Sequence, residues 1–430
     1  MTAKSFSFIV LGAGVFGAST ALALVQSYPS KSIALIDREI PRRQGASWDW
    51  TKVIRADYTD IFYTRLALEA KDIWRNDPLY SENYHETGLV WVDESGFSKA
   101  VTQNYSVLGV EEKWQMVSVK DLKASYGGIF SEAEFGKLQS IYLNESSGWV
   151  EAGKALTTVI QAAASAGVQL IESEASNLVF DDRGCCIGLR AVDGQVFMAE
   201  KVILATGPET AKFLIASAPD VPQLRVGGRL SAAGLVTGVL NLDPDEAIRH
   251  QGTPVFLHAG GPAQGAIIPP GAENCVKVTC DISFVNTTAL SGQISMSVPP
   301  EDSEIVQRAL LEEMKAELRR VSVGILGEKG SQKGFRDCRI CWDAITPSQD
   351  FLISAHPGCE NLYLATGGSF HGWKFLPTVG KYIVHMLEGR LAPELSNRWA
   401  WDSQYLHPAN SRMAPSREMA GLMINKSPEV

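Results

Sequence analysis

The chain is short of what several large classes of protein need. Lys and Arg number 39 against 48 Asp and Glu, a formal net charge of −9. No basic stripe offsets that deficit, so the clustered cations that displace counterions from a phosphate backbone are missing and no nucleic-acid partner is expected. Cysteine is scarce and odd in number, seven in 430 residues. That is unlike the even, closely spaced set of a secreted disulfide scaffold, and a reducing compartment fits it better. Apolar runs stop short of the roughly 18 residues of a membrane-crossing helix, so no membrane association is expected. The opening "MTAKSFSFIVLGAG" carries its apolar run straight into a glycine turn, with no small-residue cleavage site, and reads as a strand rather than a signal peptide. The terminal "INKSPEV" is not a Ser-Lys-Leu peroxisomal address, and a cytoplasmic location is expected. Repeats of the solenoid kind are missing as well. The C-x-x-C spacing of Cys338 and Cys341 in "RDCRICWDAITP" has neither a second pair nor a His at ligand spacing, so no metal site is expected. A redox pair is disfavoured too, because the motif lies in an apolar, strand-like run instead of opening a helix.

What is present points elsewhere. A chain of 430 residues, 45% of them hydrophobic, exceeds the roughly 250–300 residues that one core usually serves, so two domains are expected. "SFIVLGAGVFGASTALALVQ" runs as a strand, a glycine turn and a helix, and contains Gly12-x-Gly14-x-x-Gly17. Gly12 allows the tight turn, Gly14 lets backbone approach a pyrophosphate, and Gly17 lets the helix lie close on the strand. The helix N-terminus supplies free N–H groups and a positive dipole end. "KSIALIDRE" then predicts a second strand ending at Asp37, whose carboxylate can accept ribose hydroxyls. A glycine turn alone is weak, but strand, fingerprint, helix, strand and acid in that order define a dinucleotide site. "DGQVFMAEKVILATGPET" reads as an alternating strand, a turn-like link and an apolar strand that ends at Gly207.

The pieces interleave. Nucleotide-binding segments are expected at 1–90, 145–220 and 335–400, and a second domain at 91–144 and 221–334, with a peripheral tail over 401–430. Residues 221–298 have the turn-rich look of antiparallel strands, and "PPEDSEIVQRALLEEMKAELRRV" predicts an amphipathic helix behind a Pro-Pro start. The fold class expected is α/β: a Rossmann domain interleaved with an α+β substrate domain built on an antiparallel sheet.

"KVILATG" resembles the Ala-Thr-Gly element of glutathione-reductase-type FAD proteins, which favours FAD over NAD and implies adenine contact near Ala175. Four further stretches, "ASWDWTKVIRADYTD", "ENCVKVTCD", "CRICWDAITPSQDFLISAHP" and "ENLYLATGGSFHGWKFLPTVGKYIVHMLEG", resemble the monomeric sarcosine oxidase family of flavoprotein amine oxidases, which includes pipecolate, saccharopine and fructosyl amino acid oxidases (amadoriases). The resemblance covers residues 6 to about 400 in family order. It implies a cofactor site of Gly12, Gly14, Val15, Phe16, Gly17, Asp37, Arg38, Ser47, Lys52, Ala175, Gly207, Gly368, Phe370, Gly372 and Lys374, with FAD tethered covalently through Cys341. It gives Cys338 no role, and apolar flanks make that thiol a core residue. Glycines at 367, 368 and 372 permit close approach to a planar ring, and Pro377 suits the first turn of a helix aimed at the flavin.

For catalysis the resemblance implies Arg55 and Lys374 on the substrate carboxylate, Lys277 as the fixed positive charge that promotes reaction with O₂, and His371 bonding the flavin or shaping the pocket, without a general-base role. Each has a plainer alternative: an Arg55 salt bridge with Asp57 or Asp60, a surface Lys374, and a lysine on the exposed face of a strand for Lys277. The implied activity is oxidation of a C–N bond in an N-substituted amino acid to an imine, with O₂ reduced to H₂O₂, by a monomer whose partners are a small amine and O₂. Alternatives are a biosynthetic oxidase whose imine cyclises, for which Trp48, Phe370 and Trp373 could line an aromatic pocket, and an FAD dehydrogenase with another electron acceptor. Saccharopine-like, N-methyl and fructosyl substrates all stay open.

Overall fold

The computed structural model describes residues 4–261, 263–271, 273–291, 294–300, 304–404 and 415–423. Two sheets organise them. The first runs Ala175–Phe180, Cys186–Ala191, Val196–Leu204, Lys4–Leu11, Ile33–Asp37 and Gln169–Glu172, with Leu362–Thr366 paired to Val196–Leu204 and Leu352–Ala355 paired to Leu362–Thr366. Its central strands are parallel. They are near-continuous apolar runs because both faces are covered, as a parallel sheet requires. Phe8, Val10, Ile33 and Leu35 pack toward the helices Val15–Ser27, Ala152–Ser165 and Val379–Leu387, while Ile9, Leu11, Ala34 and Ile36 pack into a separate core on the other face.

The second sheet orders Phe335–Ile345, Ser231–Asn241, Cys275–Val285, Gly265–Ile268, Val255–His258, Leu89–Val92, Ser140–Asn144 and Trp114–Ser118. It is antiparallel except where Val255–His258 meets Leu89–Val92 and where Arg417–Glu418 adds to Cys275–Val285. One face buries Val236, Val276, Val278 and Phe284 with Met314, Leu318 and Val321 of the helix Glu304–Ser331. Side chains alternate, so the other face presents Thr237, Lys277, Thr279 and Asp281 to a cavity between the sheets.

Four local expectations change. The turn-like link before "KVIL" is no turn: Val196–Leu204 is one strand. It pairs with Cys186–Ala191 on one side and Lys4–Leu11 on the other, and its charged Glu200 and Lys201 are satisfied by Lys31 and the Tyr363 hydroxyl. Pro377 precedes the helix Val379–Leu387, whose N-cap is Thr378. That helix packs closely on Val15–Ser27, where a Cβ on Gly380 would stand 2.1 Å from the Ser19 carbonyl oxygen, and its first residues do not line the cavity. The strand Phe335–Ile345, placed with the nucleotide segments by sequence, hydrogen-bonds along Ser231–Asn241 and forms the edge of the second sheet. Finally, the described part of the tail is packed: Arg417 pairs with Glu317 at 2.6 Å and Met419 is buried in the second core.

Candidate active site

A cavity of about 920 Å³ lies between the two sheets. That is the upper end of the range for small-molecule and cofactor pockets. Of the site residues expected from sequence, all but Gly17 and Gly367 line it. Gly17 serves packing alone: a Cβ there would stand 1.7 Å from the Gly12 carbonyl oxygen. Gly12 has φ +103°, and a Cβ on it would lie 2.4 Å from the Ala205 carbonyl oxygen. The turn therefore admits glycine only, and it aims the N-terminus of the helix Val15–Ser27 into the cavity. Asp37, ending its strand, accepts from the Ala13 and Arg38 amides at 2.8 Å each. Burial pushes its carboxyl up against the pull of those bonds and of Arg42 and Arg38. A dinucleotide fits this cradle: bare glycine backbone for phosphates, then an acid one strand away for a ribose.

At the floor of the cavity Lys277 is 2% exposed, which removes the surface-lysine alternative. Its Nζ donates to Asp49 Oδ2 at 2.5 Å and to the Thr51 carbonyl at 2.8 Å. Lys52 reaches the same Oδ2 at 2.7 Å. Burial pulls Lys277 down to about 8 although Asp49 opposes it. The Asp49 carboxyl is fully buried, yet Lys277, Lys52 and Arg339 together hold it well below the usual carboxylate range. Burial acts on Lys52 in the same sense as on Lys277, but Asp49 reverses it and raises Lys52.

A second cluster faces the cavity from the Gly372–Phe375 turn and the loop after Lys52–Ile54. The indole of Trp74, on the helix Ile61–Asn76, donates to the Lys374 carbonyl at 2.8 Å and fixes the turn. Lys374 Nζ donates to the Tyr58 hydroxyl at 2.7 Å and to the His371 carbonyl at 2.8 Å. His371 Nε2 lies 2.8 Å from the Gln349 carbonyl and Nδ1 lies 3.1 Å from the Tyr58 hydroxyl. A carbonyl only accepts, so Nε2 carries the proton and Nδ1 accepts from Tyr58, which in turn accepts from Lys374. Burial, then Lys374, pushes His371 down to about 3, so it is neutral; burial and then Arg55 push Lys374 well below the usual lysine range.

Arg55 stands between the Tyr58 and Trp91 rings, 4.7 and 4.8 Å from their centroids. Its expected alternative partners are taken: Asp57 accepts from Tyr142, Asn144 and Ser147, and Asp60 pairs with Arg398 at 2.7 Å. Among the described residues Arg55 Nη1 is buried without a hydrogen-bond partner, a charged donor facing the cavity. Trp373 contributes less to an aromatic pocket than its position suggests, because its indole donates to the Ser47 carbonyl at 2.7 Å and stacks on Trp74.

Both cysteines of the C-x-x-C spacing are free thiols. Three residues along a strand is an odd number, so they face opposite ways: Cys341 is buried at the cavity, and Cys338 packs on the second core beside Phe335. Three residues escaped the sequence reading. Asp49 has its partner Lys277 228 positions away. Asp343, whose carboxyl burial raises, accepts from the Phe370 amide at 2.7 Å, where Ser369 and Phe370 take the left-handed φ values +48° and +60°. Arg339, inside the cysteine motif itself, donates to four backbone carbonyls. Among the described residues no group of His, Cys, Asp and Glu could hold a metal, and no helix is long and apolar enough to cross a membrane.

The family model "FAD dependent oxidoreductase" (DAO) matches residues 7–386, and the chain belongs to that family of FAD-dependent oxidoreductases. Among curated proteins it is similar to the L-saccharopine oxidase of Schizosaccharomyces pombe, 25% identical with 92% of this chain and 93% of that protein covered. It is likewise similar to the amino acid oxidase fsqB of Aspergillus fumigatus, 27% identical with 89% and 92% covered. A modified fructosyl peptide oxidase from Aspergillus nidulans, solved in complex with FSA, superposes with a TM-score of 0.81 at 26% identity, covering 96% of this chain and 98% of that one.

Proposed function

We propose that this enzyme is an oxidase of N-substituted amino acids, acting on a secondary amine and using O₂ as electron acceptor. The observation that carries the reading is Arg55, a guanidinium with a bare buried donor beside Lys374 in a cavity that also contains a dinucleotide cradle. FAD would be held by the Gly12–Gly14 turn, Asp37 and the Ala175 and Gly207 backbone, and linked as a thioether to Cys341. When bound, it would supply the acceptor for the hydride equivalent lost from the carbon beside the nitrogen, with O₂ as the final oxidant.

The chain's own residues then have distinct tasks. Arg55 and Lys374 bind the substrate carboxylate, the planar fork of Arg55 giving a bidentate contact. Their charge lowers the pKa of the substrate amine, so it is held neutral without a dedicated base; His371, with both ring nitrogens engaged, positions Tyr58 instead. Lys277, held by Asp49, places a fixed cation where O₂ acquires charge. The names of the relatives span saccharopine, sarcosine, N-methyl-L-tryptophan and fructosyl peptides; the first three carry a carboxylate one carbon from a substituted nitrogen, and a fructosyl peptide carries a peptide carbonyl there. Purified enzyme offered saccharopine-type, N-methyl and fructosyl amino acids should release H₂O₂ with one of these classes. Dye reduction without H₂O₂ would overturn the oxidase assignment. Acid precipitation should leave the yellow colour in the pellet, and colour in the supernatant would remove the Cys341 bond.

A further inference from the structure

All seven residues from 42 to 48 line the cavity. They form its longest unbroken stretch of wall without helix or strand, between Ile33–Asp37 and Lys52–Ile54. A segment of this kind has few backbone hydrogen bonds of its own, here one from the Gly45 amide to the Arg42 carbonyl, and must be held from outside. It is held from two sides. On the nucleotide side Ser47 Oγ accepts from the Val15 amide at 2.9 Å, and the Ser47 carbonyl accepts from the Trp373 indole. On the other side one guanidinium, Arg339 of the edge strand Phe335–Ile345, donates to the carbonyls of Arg43 and Trp48 through Nη1 at 3.1 and 2.9 Å. Through Nη2 it donates to Gln44 and Gly45 at 3.3 and 2.7 Å. Its plane also lies over the Trp48 ring, 5.7 Å from the centroid.

We propose that Arg339 is a positioning residue that fastens the 42–48 segment across the cavity from the second sheet, and that release of this fastening admits FAD to the cavity and lets it leave where Cys341 does not hold it. A planar fork with two donor nitrogens suits several carbonyls at once, and a lysine would reach one of them. Each bond has a charged donor, so its loss weakens the closed form more than loss of a neutral bond would. The remaining walls are mostly strands and turns fixed in the two sheets, whereas release of one side chain frees a continuous stretch of the segment. Arg339 also explains why the cysteine motif reads Cys-Arg-x-Cys: Arg339 and Cys341 share the cavity-facing side of the strand, so the residue that fastens the segment and the residue assigned to tether the cofactor are adjacent on one face.

The segment carries its own reporter, because trypsin cleaves after Arg42 and Arg43 only when the backbone there opens. In the FAD-loaded enzyme, Arg339→Gln should be nicked after Arg42 or Arg43 at least about tenfold faster than the parent, since nicking follows the population of the open form. Fragments are read by mass spectrometry. In a Cys341→Ser background, where flavin can exchange, the same change should speed both FAD release on dilution and FAD uptake by the apoprotein, read by flavin fluorescence. Arg336→Gln, on the exposed part of the same strand, should alter none of these. Unchanged nicking and unchanged FAD exchange would overturn the proposal, and so would nicking that rises equally at sites throughout the chain. If Arg339→Gln does not fold, the same measurements on Arg339→Lys, which keeps the charge but reaches only one of the four carbonyls, decide it in the same way.

Discussion

Replacing Asp49 with Asn removes one negative charge from between the cations of Lys277 and Lys52. The amide keeps an oxygen that can accept from the Trp50 amide, as Asp49 Oδ1 does at 2.8 Å, so local backbone geometry should persist. Lys52 has a 22% exposed side chain and can turn to water; Lys277 cannot. Stripping one partner from a buried ion pair commonly costs about 3–5 kcal/mol, but Lys277 has a cheaper course, which is to lose its proton. With a reference value of 10.5 and a folded value of about 8, the ammonium already disfavours folding by about 3.4 kcal/mol at pH 7. Complete deprotonation at pH 7 would cost about 4.8 kcal/mol on the same scale, so the added penalty through Lys277 is capped near 1.4 kcal/mol. The sign follows from a depressed cation. The penalty is full below the folded value and fades as pH rises from about 8 toward 10.5, because there the unfolded chain binds the extra proton. Asp49→Asn should therefore fold, with Lys277 neutral at pH 7. Steady-state oxygen kinetics supply the assay. In the parent, kcat/KM for O₂ should fall as pH rises through about 8. In the variant it should be about 100-fold lower at pH 7, with the fall displaced to lower pH, while kcat/KM for the amine changes little. A variant that keeps the parent's O₂ rate and its break near pH 8 would refute the coupling of Asp49 to Lys277.

Substitutions at three further positions separate packing from binding. Arg55→Met should weaken binding of an unreactive carboxylate by about 10- to 100-fold, the value of a charge-assisted hydrogen bond, and Arg55→Lys should recover only part of it; equal affinities in a spectral titration would remove Arg55 from the carboxylate site. Gly17→Ala drives a Cβ against the Gly12 carbonyl oxygen, which as backbone cannot move aside, whereas Gly14→Ala would meet the Ser47 hydroxyl at 2.8 Å. Flavin content and thermal melting should therefore drop far more for Gly17→Ala than for Gly14→Ala, and the reverse order would mean that the turn is not built as described.

The legible parts of the sequence are those whose physics is local. The glycine turn, the strand ending at Asp37 and the helix behind Gly17 each depend on neighbours within about one unit of βαβ, and they stand where the pattern put them. The alternation of "NCVKVTCD" likewise fixes Lys277 opposite Val276 and Val278. What the pattern could not supply is which sheet a strand joins. Phe335–Ile345 reads equally well as either sheet's strand, and its assignment rests on pairing with Ser231–Asn241, about a hundred positions upstream. Asp49 and Arg339 were hidden for the same reason, since their partners in the fold lie 228 and up to 296 positions away. The packed tail was hidden by composition: "REMAGLM" is too short to announce a strand and a helix, yet Met419 and Arg417 have a core and a partner waiting.

The charge distribution joins these pieces into one argument about reactivity. A chain with an excess of nine negative charges nevertheless gathers Arg55, Lys374, Lys52, Lys277 and Arg339 around one cavity. Asp49 answers two of them, and four carbonyls answer Arg339. Around Arg55 and Lys374 the direct neighbours are instead neutral: a tyrosine hydroxyl, a histidine held unprotonated and two aromatic rings. An amino acid that enters there meets Arg55 and Lys374 with no carboxylate hydrogen-bonded to either among the described residues, and Asp57 acts on Lys374 only through space, which favours its carboxylate and disfavours the proton on its nitrogen in the same step. In the proposed reaction those are the two conditions the substrate must satisfy, and a single arrangement of neutral partners around two cations provides both. A carboxylate placed beside Arg55 would restore an ordinary salt bridge and abolish them together.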